Sequence, residues 1–132
     1  MTAAEWLKAR PETNGKVGAV GFCYGGGMVN FLATRVPDLL AGVPFYGSAP
    51  NAEDVPKIKA ALVIQSADVD ERINAAWPGY EAALKAAGVK YQMVQYAGTQ
   101  HGFNNDTTPR YDAAAAKQAW DRTVAFFKSN LA

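Results

Sequence analysis

Residues 16–28, KVGAVGFCYGGGM, set a short apolar run directly before a glycine-framed cysteine. Residues 16–21 have the apolar continuity of a buried strand. Residues 24–35 read as a helix, with Met28, Phe31 and Leu32 spaced for one buried face. Between them stands Gly21-Phe22-Cys23-Tyr24-Gly25. A G-x-nucleophile-x-G segment between strand and helix is a nucleophile elbow, a sharp turn that holds the nucleophile on strained backbone. Glycines flank it because side chains there would collide with neighbouring backbone. The turn places Cys23 at a helix N-terminus, where the dipole favours thiolate over thiol. The Tyr24 N–H is expected to point into an oxyanion hole. The plainer reading is a glycine-rich turn around a structural cysteine. The strand before Cys23 and the helix after it favour the functional one.

Working outward, residues 2–10 read as a helix with Thr2 as N-cap and Glu5 at the reciprocal capping-box position. Pro11 and Gly15 break the chain there. Residues 42–46 form a second strand. Residues 60–65, AALVIQ, form a third, apolar enough for burial on both faces. Residues 73–87 predict a helix that begins near Trp77-Pro78 and stops at Gly88. Residues 90–96 form a fourth strand. Residues 109–131 predict a long terminal helix with Trp120, Val124 and Phe127 on one side. Strands alternating with helices mean an α/β fold, here about four mostly parallel strands flanked by helices. Active sites of such sheets collect at the carboxyl ends of the strands.

Those ends carry chemistry. The third strand runs into Ser66-Ala67-Asp68-Val69-Asp70-Glu71-Arg72. Acidic loop residues are usually solvated, yet these lie between Cys23 and the only histidine, and a triad on this kind of sheet runs nucleophile, acid, histidine. Asp70 and Asp68 are both candidates for the acid. The fourth strand leads to Gly98-Thr99-Gln100-His101-Gly102-Phe103. His101 is the only imidazole available as a general base near neutral pH.

Composition narrows the alternatives. The 132 residues read as one domain, 1–132, with 49% hydrophobic and 19% charged residues. Thirteen basic against 12 acidic side chains leave no footprint for nucleic acid or an anionic membrane. No apolar run approaches the roughly 20 residues that span a bilayer, and the first residues lack the apolar core of a signal peptide. The default location is the cytoplasm. Cys23 is the single cysteine, so no internal disulfide forms, and the lack of a C-x-x-C pair argues against a thiol-redox protein.

GKVGAVGFCYGGGM, ADVDERIN and YAGTQHGFNNDTTPRYDAAAAKQAW resemble the dienelactone hydrolase (carboxymethylenebutenolidase) family, C-terminal half. The resemblance implies a partial α/β-hydrolase that opens lactone or small ester bonds through a Cys-Asp-His triad, with no cofactor and no metal. By position, Cys23 is the nucleophile, His101 the base and Asp70 the acid, with Asp68 the alternative. Asn105 follows His101 by four residues where well-known members carry arginine, so lactones and small esters as a class are implied rather than dienelactone itself. Family members are longer, and the preceding part holds further strands and a second oxyanion donor. The strand that opens at Lys16 and closes at Gly21 is therefore expected to be a free edge. Trp6, Leu7 and Phe22 are candidates for an exposed patch, and pairing of two copies across that edge would make a homodimer completed by dimerisation. The competing expectation is a catalytically weak half-domain that needs a partner chain to complete its site.

Overall fold

Strands buried on both faces of a parallel sheet need apolar runs, and the two central strands of this one have them, while its edge strands are only partly buried. The computed structural model describes residues 2–132, so Met1 lies outside the described residues. Strands β1 (Val17–Phe22), β2 (Leu39–Phe45), β3 (Ala61–Val69) and β4 (Tyr91–Gln100) pair in parallel in the order β1-β2-β3-β4. Helix α1 (Thr2–Lys8) precedes β1, and α2 (Tyr24–Arg35) joins β1 to β2. A 3-10 turn, Ala52–Lys57, precedes β3, while α3 (Glu71–Ala75) and α4 (Trp77–Ala87) lead to β4. Helix α5 (Ala113–Leu131) closes the chain.

Strand β3 shows how the core divides, because successive side chains point to opposite faces. Leu62 and Ile64 pack with Ala33 of α2 and with Tyr80 and Leu84 of α4. Val63 and Ala67 pack on the other face with Val43, Phe45 and with Ala115 and Ala119 of α5. Gln65 is fully buried on the α5 side. Its Nε2 donates to the Ala119 carbonyl and to Thr123 Oγ1, both at 2.9 Å, while its Oε1 accepts from the Tyr96 hydroxyl. That hydroxyl in turn accepts from Arg122 Nη1 at 2.5 Å. Each of these groups left unpaired in the core would cost about 1–3 kcal/mol.

Several expected details shift. The inward face of α2 is Gly26, Val29, Asn30 and Ala33, while Phe31 is 42% exposed. The elbow sets the phase: a Cβ on Gly26 would stand 2.5 Å from the Phe45 carbonyl oxygen, so the helix meets β2 through its smallest residues. Helix α5 likewise turns Ala115, Ala116, Ala119 and Thr123 inward and leaves Trp120 outward. It starts at Ala113, not at 109, because Asp112 caps it by accepting from Ala115 N at 3.0 Å. The single helix expected over 73–87 divides into α3 and α4 at Ala76. Strand β4 runs on to Gln100, paired with Val69.

Strand β1 pairs only with β2 among the described residues. Val20 and Phe22 are exposed there, as are Trp6 and Leu7, and α1 has no buried residue. No helix among the described residues is long and apolar enough to cross a membrane.

Candidate active site

The elbow comes first, because backbone sterics shape it. Cys23 has φ 56° and ψ −118° and serves as the N-cap of α2. A non-glycine residue in that conformation is strained by about 1–3 kcal/mol and persists only where its surroundings impose it. Here the Cys23 N–H donates to the Phe45 carbonyl at 3.1 Å, and its own carbonyl accepts from Gly27 N at 3.1 Å. A Cβ on Gly21 would lie 2.2 Å from the Gly25 carbonyl oxygen. Gly25 itself has nothing within 4 Å of such an atom, so the collision expected for both flanking glycines holds for Gly21 alone. Tyr24 is the first residue of α2, where N–H groups have no intrahelical partner.

The strand register assembles the acid and the imidazole. Val69 on β3 is opposite Gln100 on β4, so the next residues, Asp70 and His101, leave the sheet side by side. Asp70 Oδ2 lies 2.5 Å from His101 Nδ1. With the proton on Nδ1 donated to the carboxylate, the Nε2 lone pair is left free. Asp68 is used elsewhere: its carboxylate accepts from Gly98 N at 3.0 Å, and its N–H donates to Thr99 Oγ1 at 3.3 Å. Asn74 steadies the turn by donating to the carbonyls of Ala67 at 2.8 Å and Asp68 at 3.2 Å.

Burial pushes the Cys23 thiol up from its ordinary value; the charge of Arg110 pulls it down and that of Asp70 pushes it up. The net direction is upward, opposite to the lowering expected from the sequence. Its Sγ forms no hydrogen bond with His101 among the described residues.

The carboxyl end of β2 joins the three that carry Cys23, Asp70 and His101. There Tyr46 has φ 36°, is buried, and donates its N–H to the Gln65 carbonyl at 2.7 Å. Its ring centroid lies 4.9 Å from that of His101 and 5.3 Å from that of Phe103, so it walls the imidazole in place. Burial, then the charge of Cys23, push its phenol up to about 12 against a bond from Asn104, and it stays an O–H donor. Phe22, Cys23, Tyr46, Asn104, Asn105 and Asp106 line one open pocket. The last three belong to the loop between His101 and α5, closed where Asp112 N donates to the Phe103 carbonyl at 2.9 Å. The residue type at β2's end and its place in the sheet were available in the sequence; the loop's return was not. Among the described residues no group of three His, Cys, Asp or Glu is arranged to hold a metal ion.

A strained nucleophile elbow on a parallel sheet, with an acid and a histidine at later strand ends, is the architecture of the α/β-hydrolase fold. Within that fold, the chain belongs to the dienelactone hydrolase family, whose model it matches over residues 1–131. It is 38% identical over 125 residues to Protein usf of Aquifex pyrophilus, a match covering 88% of this chain and 52% of that protein. Among solved structures it is similar to a dienelactone hydrolase-like promiscuous phosphotriesterase from metagenomic libraries. That match has 26% identity and TM-score 0.87 and covers 98% of this chain and 59% of the other. A dienelactone hydrolase of Anabaena variabilis shares the fold at 23% identity and TM-score 0.79, covering 98% of this chain and 57% of its own. The chain spans about half the length of the curated relatives it matches.

Proposed function

We propose that this chain hydrolyses lactones or small carboxylic esters through an acyl-Cys23 intermediate. The observation that carries this reading is the 2.5 Å Asp70–His101 pair beside a cysteine held on strained elbow backbone. In the reaction, His101 Nε2 takes the Sγ proton as sulfur bonds the carbonyl carbon, and the carbonyl electron pair moves to oxygen. The Tyr24 N–H donates to that oxyanion. Collapse expels the alkoxide, which takes the proton from His101. Water, deprotonated by His101, then attacks the thioester, and the carboxylic acid and the thiol are released. Asp70 holds the imidazole tautomer throughout and stabilises the imidazolium. Exposure to an activated ester such as p-nitrophenyl acetate tests this. A burst of nitrophenolate, an acetyl group on the Cys23 peptide, and loss of both in Cys23→Ala are expected. Turnover that survives Cys23→Ala refutes it.

The free edge of β1 favours a second reading, a half-domain whose site is completed by another chain. Residues 16–21, beginning at Lys16, would pair with a second copy across a two-fold axis and give a homodimer. Sedimentation at micromolar concentration distinguishes the readings: a monomer that turns over ester excludes the dimer, and a dimer broken by Val17→Pro supports it.

A further inference from the structure

Arg110 sits in the loop that follows His101, and the loop's closure decides where its charge goes. Thr108 N donates to the Asn105 carbonyl at 3.4 Å and Tyr111 N to the Thr108 carbonyl at 3.1 Å, turning the chain back before Asp112 N reaches the Phe103 carbonyl. The guanidinium then lies beside Gly102, where a Cβ would stand 3.7 Å from both its Nε and Nη2. Gly102 follows His101 directly, so a cation stands at the rim of the proposed triad. Among the described residues its side chain makes no ion pair and no hydrogen bond, while Lys8, Arg10, Arg35, Lys57, Lys85 and Lys117 all have carboxylate partners.

The charge count of the reaction gives this placement its meaning. Moving the Sγ proton to Nε2 yields a thiolate, an imidazolium and the Asp70 carboxylate, with one net negative charge. Attack on a neutral ester passes that charge from sulfur to oxygen and leaves the total unchanged. The charges felt at Cys23 are those of Asp70 after β3, with His101 bonded to it, and of Arg110 in the closing loop, while Tyr46 after β2 and Asp106 line the same pocket as the thiol. Arg110 alone among them is a permanent cation. We infer that Arg110 is the counter-charge of the nucleophile, a positioning residue that acts through space on Cys23 and stabilises the anion formed there. The inference rests on the hydrolase reading above.

Alkylation of Cys23 by iodoacetamide, a neutral reagent, followed from acidic to alkaline pH, tests it in the full chain. Wild type, Arg110→Met, Arg110→Lys and His101→Ala are compared, with melting curves as a control on folding. Arg110→Met is expected to move the alkylation midpoint to higher pH and to slow the reaction at neutral pH on the order of 5-fold, the effect of one partly screened charge. Arg110→Lys is expected to restore most of the rate. An Arg110→Met profile that matches wild type overturns the inference, as does Arg110→Lys no faster than Arg110→Met, which would make the role one of shape. In either case a slow His101→Ala leaves the triad standing. A His101→Ala profile identical to wild type removes the hydrolase reading, and this inference with it.

Discussion

The two glycines of Gly21-Phe22-Cys23-Tyr24-Gly25 look equivalent in the motif, and the structure says they are not. A Cβ on Gly21 would stand 2.2 Å from the Gly25 carbonyl oxygen and 2.5 Å from its carbon, well inside the 3.0 Å below which real Cβ atoms essentially never approach. The obstacle is backbone in the first turn of α2, so no side chain is free to swing away. The elbow must open by about 0.8 Å, and α2 is held on its far side by Gly26 against the Phe45 carbonyl. Overpacking of this kind costs ~3 kcal/mol or more, a large part of the roughly 5–15 kcal/mol that holds a domain folded. With a urea slope of ~1.5 kcal/mol/M, the Gly21→Ala midpoint falls by ~2 M. Gly25→Ala meets open space within a helix, where alanine is favoured over glycine by about 0.5–1 kcal/mol, so its midpoint holds or rises. Urea titrations followed by circular dichroism read both. Equal midpoints, or a worse Gly25→Ala, would show that the elbow is not packed as described.

Asp70→Asn is expected to lower Cys23 acylation on the order of 10³-fold or more by releasing the His101 tautomer. Asp68→Ala should leave acylation nearly unchanged and cost about 1 kcal/mol through the Gly98 N–H it abandons; single-turnover rates with the ranking reversed would move the acid role to Asp68. Gln65→Leu takes the acceptor from the Tyr96 O–H and one donor from Thr123 Oγ1, while Arg122 and the Ala119 carbonyl still hold the two hydroxyls, and a loss of ~1–2 kcal/mol in urea is expected, so an unchanged midpoint counts against the buried network. Burial raises the Cys23 thiol, and a raised acid keeps its proton to higher pH. In His101→Ala, where no base assists, the iodoacetamide rate should therefore rise with a midpoint above that of free cysteine, and a midpoint below it would mean that burial does not dominate.

The elbow was legible because its parts are local. A strand, a glycine-framed cysteine and a helix follow one another in the chain, and α2 spans the residues its pattern indicates. The direction in which α2 faces was not legible. Hydrophobic spacing picked out Met28, Phe31 and Leu32, and of these Leu32 packs against the core while Phe31 is exposed; the helix approaches β2 through Gly26 and Ala33, residues chosen for smallness and nearly silent in a hydrophobic pattern. Helix α5 repeats the lesson with Ala115 and Ala119 in and Trp120 out. Asp70 and Asp68 could not be separated by their own neighbourhood, since the pairing of Val69 with Gln100 on another strand decides which one meets His101. Tyr46 and Arg110 depend on contacts between segments distant in sequence. Their residue types were in plain view, and only the closed sheet and the returning loop bring Tyr46 to the cysteine pocket and Arg110 beside Gly102.

The loop after His101 is anchored at both ends by residues that belong to the body of the fold. Phe103 is buried among Phe45, Tyr46 and Tyr96, and Asp112 is the cap of α5. Between them the chain is mostly exposed and held largely by bonds within itself. Such a segment is an interchangeable cassette. Residues 104–109 have room for replacement, and even insertion, without unseating the imidazole, since lengthening a surface loop costs little once its ends are fixed. The wall of the Cys23 pocket is thereby free to diversify at its own pace, while the elbow, Asp70 and His101 are set by the sheet.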